Sequence, residues 1–322
     1  MSLPLESILE LLGTPSPVQG HPNLTEFLVA VFAVFAVGLL ANRQEPPRNP
    51  SPSEVPLLYP VPKQRTSCTT PPDTTRFHGH RTSRWLATFP FALEIFYWAL
   101  TFWPLRVFTP SSASPLAREH ASHLLQLEQT LGLAIELRFQ RTILRCPPLL
   151  MGVFKLLYTT HTLLIAAFLV YAYTFFPRAH FTAARRSLVL ANLLACALSL
   201  LWRCAPPRLM PPVTGFVDVL HDHPPTLPNL HLANALLLST TTLLNAHHTW
   251  LRILAPLYPA GIALSVIATA NNWVLDGAPQ VLILLLAVYS NRVLLALQPL
   301  EGWVFWACRT ERAQLHEGKN IG

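Results

Sequence analysis

Charge is what this chain has least of. Only 12% of its 322 residues are Asp, Glu, Lys or Arg, about half the share in an average soluble protein. At the same time 51% are hydrophobic. That balance excludes an ordinary soluble domain and points to a membrane. The five cysteines (Cys68, Cys146, Cys196, Cys204 and Cys308) form no CxxC spacing, which argues against structural zinc. No DDxxD-type acidic motif and no internal repeat occur. The net charge of +7 comes from dispersed basic residues with no nucleic-acid motif among them. In a membrane protein such an excess marks the cytosolic loops, so nucleic acid is not expected as a partner.

What is present, in order, is a head (1–23), a first apolar span (Leu24–Ala41), a linker (42–84), a membrane domain (85–298) and a tail (299–322). The first span starts late, lacks a basic n-region and is followed by Asn-Arg-Gln, which favours an anchor over a cleaved signal. The linker holds nine prolines and little apolar periodicity, so no packed structure is expected in it. Further spans are expected at Trp85–Phe108, Leu149–Phe176, Ser187–Trp202, Leu230–Ala246, Ile253–Ala270 and Pro279–Leu297. Each approaches the roughly 20 residues a crossing needs. Leu116–Leu144 alternates apolar and charged residues at helical spacing. It reads as an amphipathic helix lying at the interface, for packing or for catalysis. The fold class is therefore all-α integral membrane, with about seven transmembrane helices.

With the Pro-rich linker in the cytosol, fifteen Lys and Arg fall on its side and seven on the other, Lys155 lying within a span. This bias follows the positive-inside rule. It puts the Arg203–Leu227 and Asn271–Ala278 loops together on the non-cytosolic face, which in an endomembrane (ER or Golgi) is the lumen. Cys146 and Cys204 share that face, so a disulfide between them is open.

Those two loops carry the candidate chemistry, because ionisable groups beside membrane spans are costly. Arg208 follows a stiff Pro206-Pro207 and suits a phosphate, whose oxygens a guanidinium grips in pairs. A snorkelling interfacial Arg is the plainer alternative. Pro228-Asn229-Leu230-His231 opens the next span. A helix N-terminus favours anions, and a His there can protonate a leaving oxygen; a loop-bonded His is the plainer alternative. Asp276 follows Asn272 by four residues, which on a helix would share a face. Asp218, His221, Asp222 and His223 form the one dense polar cluster on that face. They are the candidate set for a divalent cation such as Mg2+ beside a diphosphate.

Ala205-Pro206-Pro207-Arg208-Leu209, then Gly215 to Asp218, then a Pro-x-Leu-His helix start, then T-x-N-x-W-x-x-D from Thr269 to Asp276, is a sequence of motifs. It resembles the type 2 phosphatidic acid phosphatase superfamily, with the likeness running over about Leu116–Leu297. LEQTLGLAIELRFQ and Tyr158 to His161 are similar to its inositolphosphotransferase (inositol phosphorylceramide synthase-like) branch. The resemblance implies a six-helix membrane core. It also implies a phosphate-binding Arg, an acid His and a nucleophilic His oriented by an Asp. Arg208, His231 and Asp276 match those positions. Asn229 stands where the family has Ser, as a phosphate-side residue, and Asn272 stands where it has the nucleophile. A carboxamide cannot serve as an activated nucleophile. His247 and His248 lie on the opposite face and do not replace it.

Three functions follow. One is a drifted enzyme that ionises an isoprenoid diphosphate and cyclises or transfers the cation, terpene cyclase-like, with aromatic residues such as Trp98 and Trp103 stabilising the charge. Another is a lipid phosphatase or inositolphosphotransferase. The third is an inactive lipid-binding protein or membrane subunit. The expected partners are a lipid or isoprenoid phosphate, the membrane and, for the third reading, another membrane protein.

Overall fold

The computed structural model describes residues 22–44, 72–108, 114–220 and 230–311, and among them there is no strand. The helices are α1 (Pro22–Ala41), α2 (Arg81–Thr88), α3 (Ala92–Phe108), α4 (Pro115–Thr130), α5 (Glu136–Arg145) and α6 (Pro148–Phe175). They continue as α7 (Arg178–Leu201), α8 (His231–Asn245), α9 (Thr249–Leu254), α10 (Leu257–Ala268), α11 (Gly277–Ser290) and α12 (Gln298–Ala307). Four stretches are long and apolar enough to cross a membrane: Pro148–Phe175, Arg178–Leu201, Thr249–Ala268 and Gly277–Leu297. The apolar parts of α1 and α3, Leu28–Ala41 and Ala92–Thr101, are shorter. At 15 residues, α8 spans about 22 Å, less than the roughly 30 Å hydrocarbon core. An all-helical membrane protein stands; seven full crossings remains the sequence-based count.

Several expected elements are divided, each for a local reason. Trp85–Phe108 splits at Phe89–Phe91 into α2 and α3, because the residue before Pro90 is steered away from helical backbone. Leu116–Leu144 is two helices. After α4, Gly132 adopts φ +71°, Leu133 N donates to Glu128 O (2.8 Å) and Gly132 N to Gln129 O (3.2 Å). This is a Schellman stop, which needs a residue tolerant of left-handed backbone. Ser114 caps the other end of α4, its Oγ accepting from Ala117 N at 3.3 Å, with proline at the first position. The span expected from Ser187 begins nine residues earlier, at Arg178, directly after Pro177.

The chain divides into two compact units, Met1–Ala36 with Trp98–Asn291 and Val37–Tyr97 with Arg292–Gly322. In the first, α8 is packed by α6, α7, α9, α10 and α11. Its contact with α7 and α11 is lined by Ala191, Ala195, Ala233 and Ala287, small residues that let helix backbones approach closely. Against α6 and α10 the filling is larger: Phe154, Tyr158, Ile262 and Val266. In the second unit Ser83 Oγ accepts from Glu311 N (2.8 Å) and donates to Phe77 O (2.7 Å). The end of the linker is thus a turn (Thr75–Phe77) followed by α2; its residues 45–71 lie outside the described residues.

Candidate functional site

Two loops of the first unit are stitched together by their backbones. Ala205 N donates to Ala117 O of α4 (2.9 Å), and the Trp273 indole donates to Ala205 O (2.9 Å). Pro206 and Pro207 stiffen the chain into a single 3-10 turn, Pro207–Leu209. Arg208 N then donates to Ala270 O (2.9 Å). This fixes the Arg208 side chain inside the protein, at 5% exposure. A guanidinium so buried requires acceptors. Its Nε donates to Asn271 Oδ1 (2.8 Å) and its Nη1 faces both oxygens of Asp218 (3.1 and 3.3 Å). The snorkelling alternative does not describe this side chain.

Asp218 is held from α5. The Gln140 carboxamide, fully buried, pairs with Val217 in both directions: Nε2 donates to Val217 O (2.9 Å) and Oε1 accepts from Val217 N (3.0 Å). Asp218 Oδ1 accepts from Leu220 N (3.0 Å). Gly215 turns the chain at φ +80°, where a Cβ would sit 2.4 Å from Arg141 Nη2.

His231 opens α8 beneath these loops. Leu230 offers no capping oxygen, and Gln280 of α11 supplies one by accepting from Leu232 N (3.2 Å). The His231 ring lies flat against Tyr158 (centroids 4.5 Å apart, planes 6° off parallel) and against His161 (4.4 Å, 27°). The Tyr158 hydroxyl accepts from Asn271 Nδ2, and His161 Nδ1 meets the Tyr258 hydroxyl at 2.7 Å. A continuous polar path therefore runs Asp218, Arg208, Asn271, Tyr158, His231, His161, Tyr258.

Asn272 and Asp276 do not share a helical face. Helix α10 ends in a Schellman arrangement, Asn271 N to Val266 O (2.9 Å) and Ala270 N to Ile267 O (3.0 Å), with Ala270 in the left-handed position at φ 51°. A residue with a Cβ is strained there. Residues 271–276 then form turns before α11, and Asn272 is buried. Asp276 Oδ2 accepts from Trp273 N (3.2 Å). Burial pushes its carboxyl up to about 6; the Trp273 amide opposes this and Glu136 adds to it. Asp276 thus orders its own turn.

Of the candidate cation set, only Asp218 lies among the described residues, where it faces Arg208; His221, Asp222 and His223 lie outside them, as does Asn229. Among the described residues no group of three or more His, Cys, Asp or Glu is arranged to hold a metal. Cys146 and Cys204 are separate free thiols, so the disulfide left open above is not formed. Burial pushes the Cys204 thiol up to about 12, with Asp276 adding to the shift. Glu128, Glu136, Gln140 and Gln280 escaped sequence reasoning as site residues, though the first three hydrogen-bond to the loops and Gln280 to the first turn of α8. The available signal was polar residues on the inward side of an amphipathic helix: Glu136 and Gln140, four apart, share a face.

The fold is that of an integral membrane protein whose buried polar residues converge where its central helix begins. The chain belongs to the PAP2 superfamily, whose profile matches residues 122–290, just over half its length. Membership suggests phosphatase- or phosphotransferase-type activity on lipid phosphates. It lends no support to the terpene cyclase reading, nor to the inositolphosphotransferase branch in particular. No curated protein and no solved structure matches the chain.

Proposed function

We propose that this protein is a membrane enzyme acting at the phosphate group of a lipid, by direct transfer and not through a phosphohistidine. The observation that carries the reading is the path from Arg208 through Asn271 and Tyr158 to His231. It joins a buried cation suited to a phosphate to an imidazole that can protonate a leaving oxygen. In the reaction, Arg208 holds the phosphate, exchanging part of its contact with Asp218 for phosphate oxygens. His231, held by its stacks on Tyr158 and His161, gives a proton to the leaving oxygen as the bond from that oxygen to phosphorus breaks. Asn272, with Asn229 as a second amide, positions the phosphate. Water or an alcohol attacks phosphorus directly, since a carboxamide does not. Asp276 orders the turn that carries Asn271 and Asn272. The site faces the non-cytosolic side of an endomembrane, and Mg2+ is an additive to be tested, with Asp218, His221, Asp222 and His223 as the residues in question.

Asn272 itself favours a second reading, a lipid-phosphate binder or subunit without turnover. One experiment separates the two. Purified protein in detergent is followed by phosphorus NMR with phosphatidic acid, phosphatidylinositol and farnesyl diphosphate, with and without Mg2+. Wild type runs beside His231→Ala and Asn272→His. Monophosphate or a new phosphodiester that needs His231 supports direct transfer. Turnover only in Asn272→His puts the binder reading in front. Free diphosphate from farnesyl diphosphate would replace both with ionisation chemistry.

A further inference from the structure

The path through Arg208 and His231 leaves unused the deepest charged side chains of the unit. Glu128 of α4 and Glu136 of α5 are 0% and 1% exposed. Among the described residues neither has a Lys, Arg or His partner within ion-pair distance. Both spend one oxygen on the turn that follows Asn271 and Asn272. Val274 N donates to Glu136 Oε1 (2.7 Å) and Leu275 N to Glu128 Oε1 (2.9 Å). Trp273 N donates to Asp276 Oδ2 (3.2 Å). Three successive amides of one turn therefore end on three carboxyl groups from three elements.

Three such groups in one buried place cannot all be ionised. Glu128 Oε2 is buried with no hydrogen-bond partner, which costs more for an ionised oxygen than for a protonated one. The carboxyl of Glu128 is pushed up to about 8, by burial first, while the Leu275 amide opposes the shift and Glu136 and Asp276 add to it. The titratable groups facing it are Glu136 of α5, Asp276 at the start of α11 and the Cys204 thiol after α7.

We infer that Glu128 and Glu136 are positioning residues of the phosphate site, a buried carboxyl pair that clamps the Val274 and Leu275 amides and so seats Asn271 and Asn272 against Arg208. The inference rests on the function proposed above for its meaning and on the clamp's geometry for its content. Loss of the Glu128 proton puts a buried charge under the turn, next to Glu136 and Asp276. The turn loosens, Asn271 leaves Arg208, and the site fails on the alkaline side. A glutamine at 128 keeps a neutral group that both donates and accepts, and it cannot ionise.

The test uses the full-length protein in detergent and has two readouts. The first is infrared difference spectroscopy between neutral and alkaline pH, with hydrogen exchange at Val274 and Leu275. Wild type is expected to show a protonated carboxylic acid at neutral pH that is lost near pH 8 and is missing in Glu128→Gln. Protection of the two amides, corrected for the intrinsic rise of exchange with pH, should fall over the same range in wild type only. The second is phosphate release from phosphatidic acid against pH. Glu128→Ala should lower kcat about tenfold or more. Glu128→Gln should recover most of that loss and remove the alkaline limb, which a purely structural role would leave in place. Absence of the carboxylic acid signal in wild type, or an unaltered alkaline limb in Glu128→Gln, overturns the inference. If phosphatidic acid is not turned over at all, the proposed function fails, and the infrared and exchange results alone decide the clamp.

Discussion

Helix α8 has histidines at both ends. His231 opens it, and His247 and His248 follow its last turn. Near the C-terminal end, His247 and His248 are exposed, and the His248 ring sits among Tyr171, Phe175 and Trp250 at centroid distances of 6.0 to 6.4 Å. Arg252 there donates Nε to Ala246 O (2.7 Å), an ordinary use of a cation at a helix C-terminus. At the opening end, His231 stacks on two buried rings and connects through Tyr158 and Asn271 to a buried guanidinium. Both ends hold imidazole, aromatic rings and an arginine. The difference is enclosure: at one end the cation satisfies spent carbonyls, and at the other it is held inside the protein by Asn271 and Asp218.

Substitutions can break that contrast, beginning with the largest effect. Arg208→Ala should cut phosphate release from phosphatidic acid by about a hundredfold or more, the usual scale for losing a preorganised contact to developing charge. Arg208→Lys should not rescue it, because an ammonium cannot reproduce the fork that meets Asn271 and Asp218. His231→Ala should cost about a hundredfold in kcat, whereas His248→Ala should leave turnover at the wild-type level. Equal losses at the two histidines would erase the distinction between the helix ends.

A further prediction concerns pH and folding. Asp276 and Glu128 sit above their ordinary values of 3.8 and 4.5, at about 6 and about 8. The folded state therefore holds their protons more tightly than the unfolded state does. Their contribution is most favourable below pH 4. It declines as pH rises to about 6 for Asp276 and to about 8 for Glu128, and is flat beyond. The melting temperature in detergent should fall across that interval and fall less in Glu128→Gln. The smallest expected effect is at Ala270. Ala270→Gly removes a Cβ from left-handed backbone and should stabilise the protein by about 1 kcal/mol, read as a higher melting temperature.

The order of motifs put Arg208, His231 and Asp276 forward as candidates, because each sits in a short local pattern beside a helix end. The helix breaks were legible in part, since Pro90 and Gly132 are visible stops that an apolar run conceals. What was not legible is what holds the site. Gln140 reaches Val217 and Glu136 reaches Val274, 77 and 138 residues away, and no periodicity encodes which distant amide a buried polar side chain will meet. The expected helical face for Asn272 and Asp276 failed because α10 stops at Ala268, where the Ala270 backbone turns left-handed.

Cys204 turns this arrangement into a clock. Its thiol packs against Trp273 and burial pushes it up to about 12, so alkylating reagents are expected to meet a slow sulfur while the two loops remain joined. Ala205 O accepts from both the Trp273 indole and the Cys204 thiol, so parting the loops is expected to expose the sulfur further. The labelling rate of this one native atom then reports how often the site opens, in an intact membrane and without any substrate.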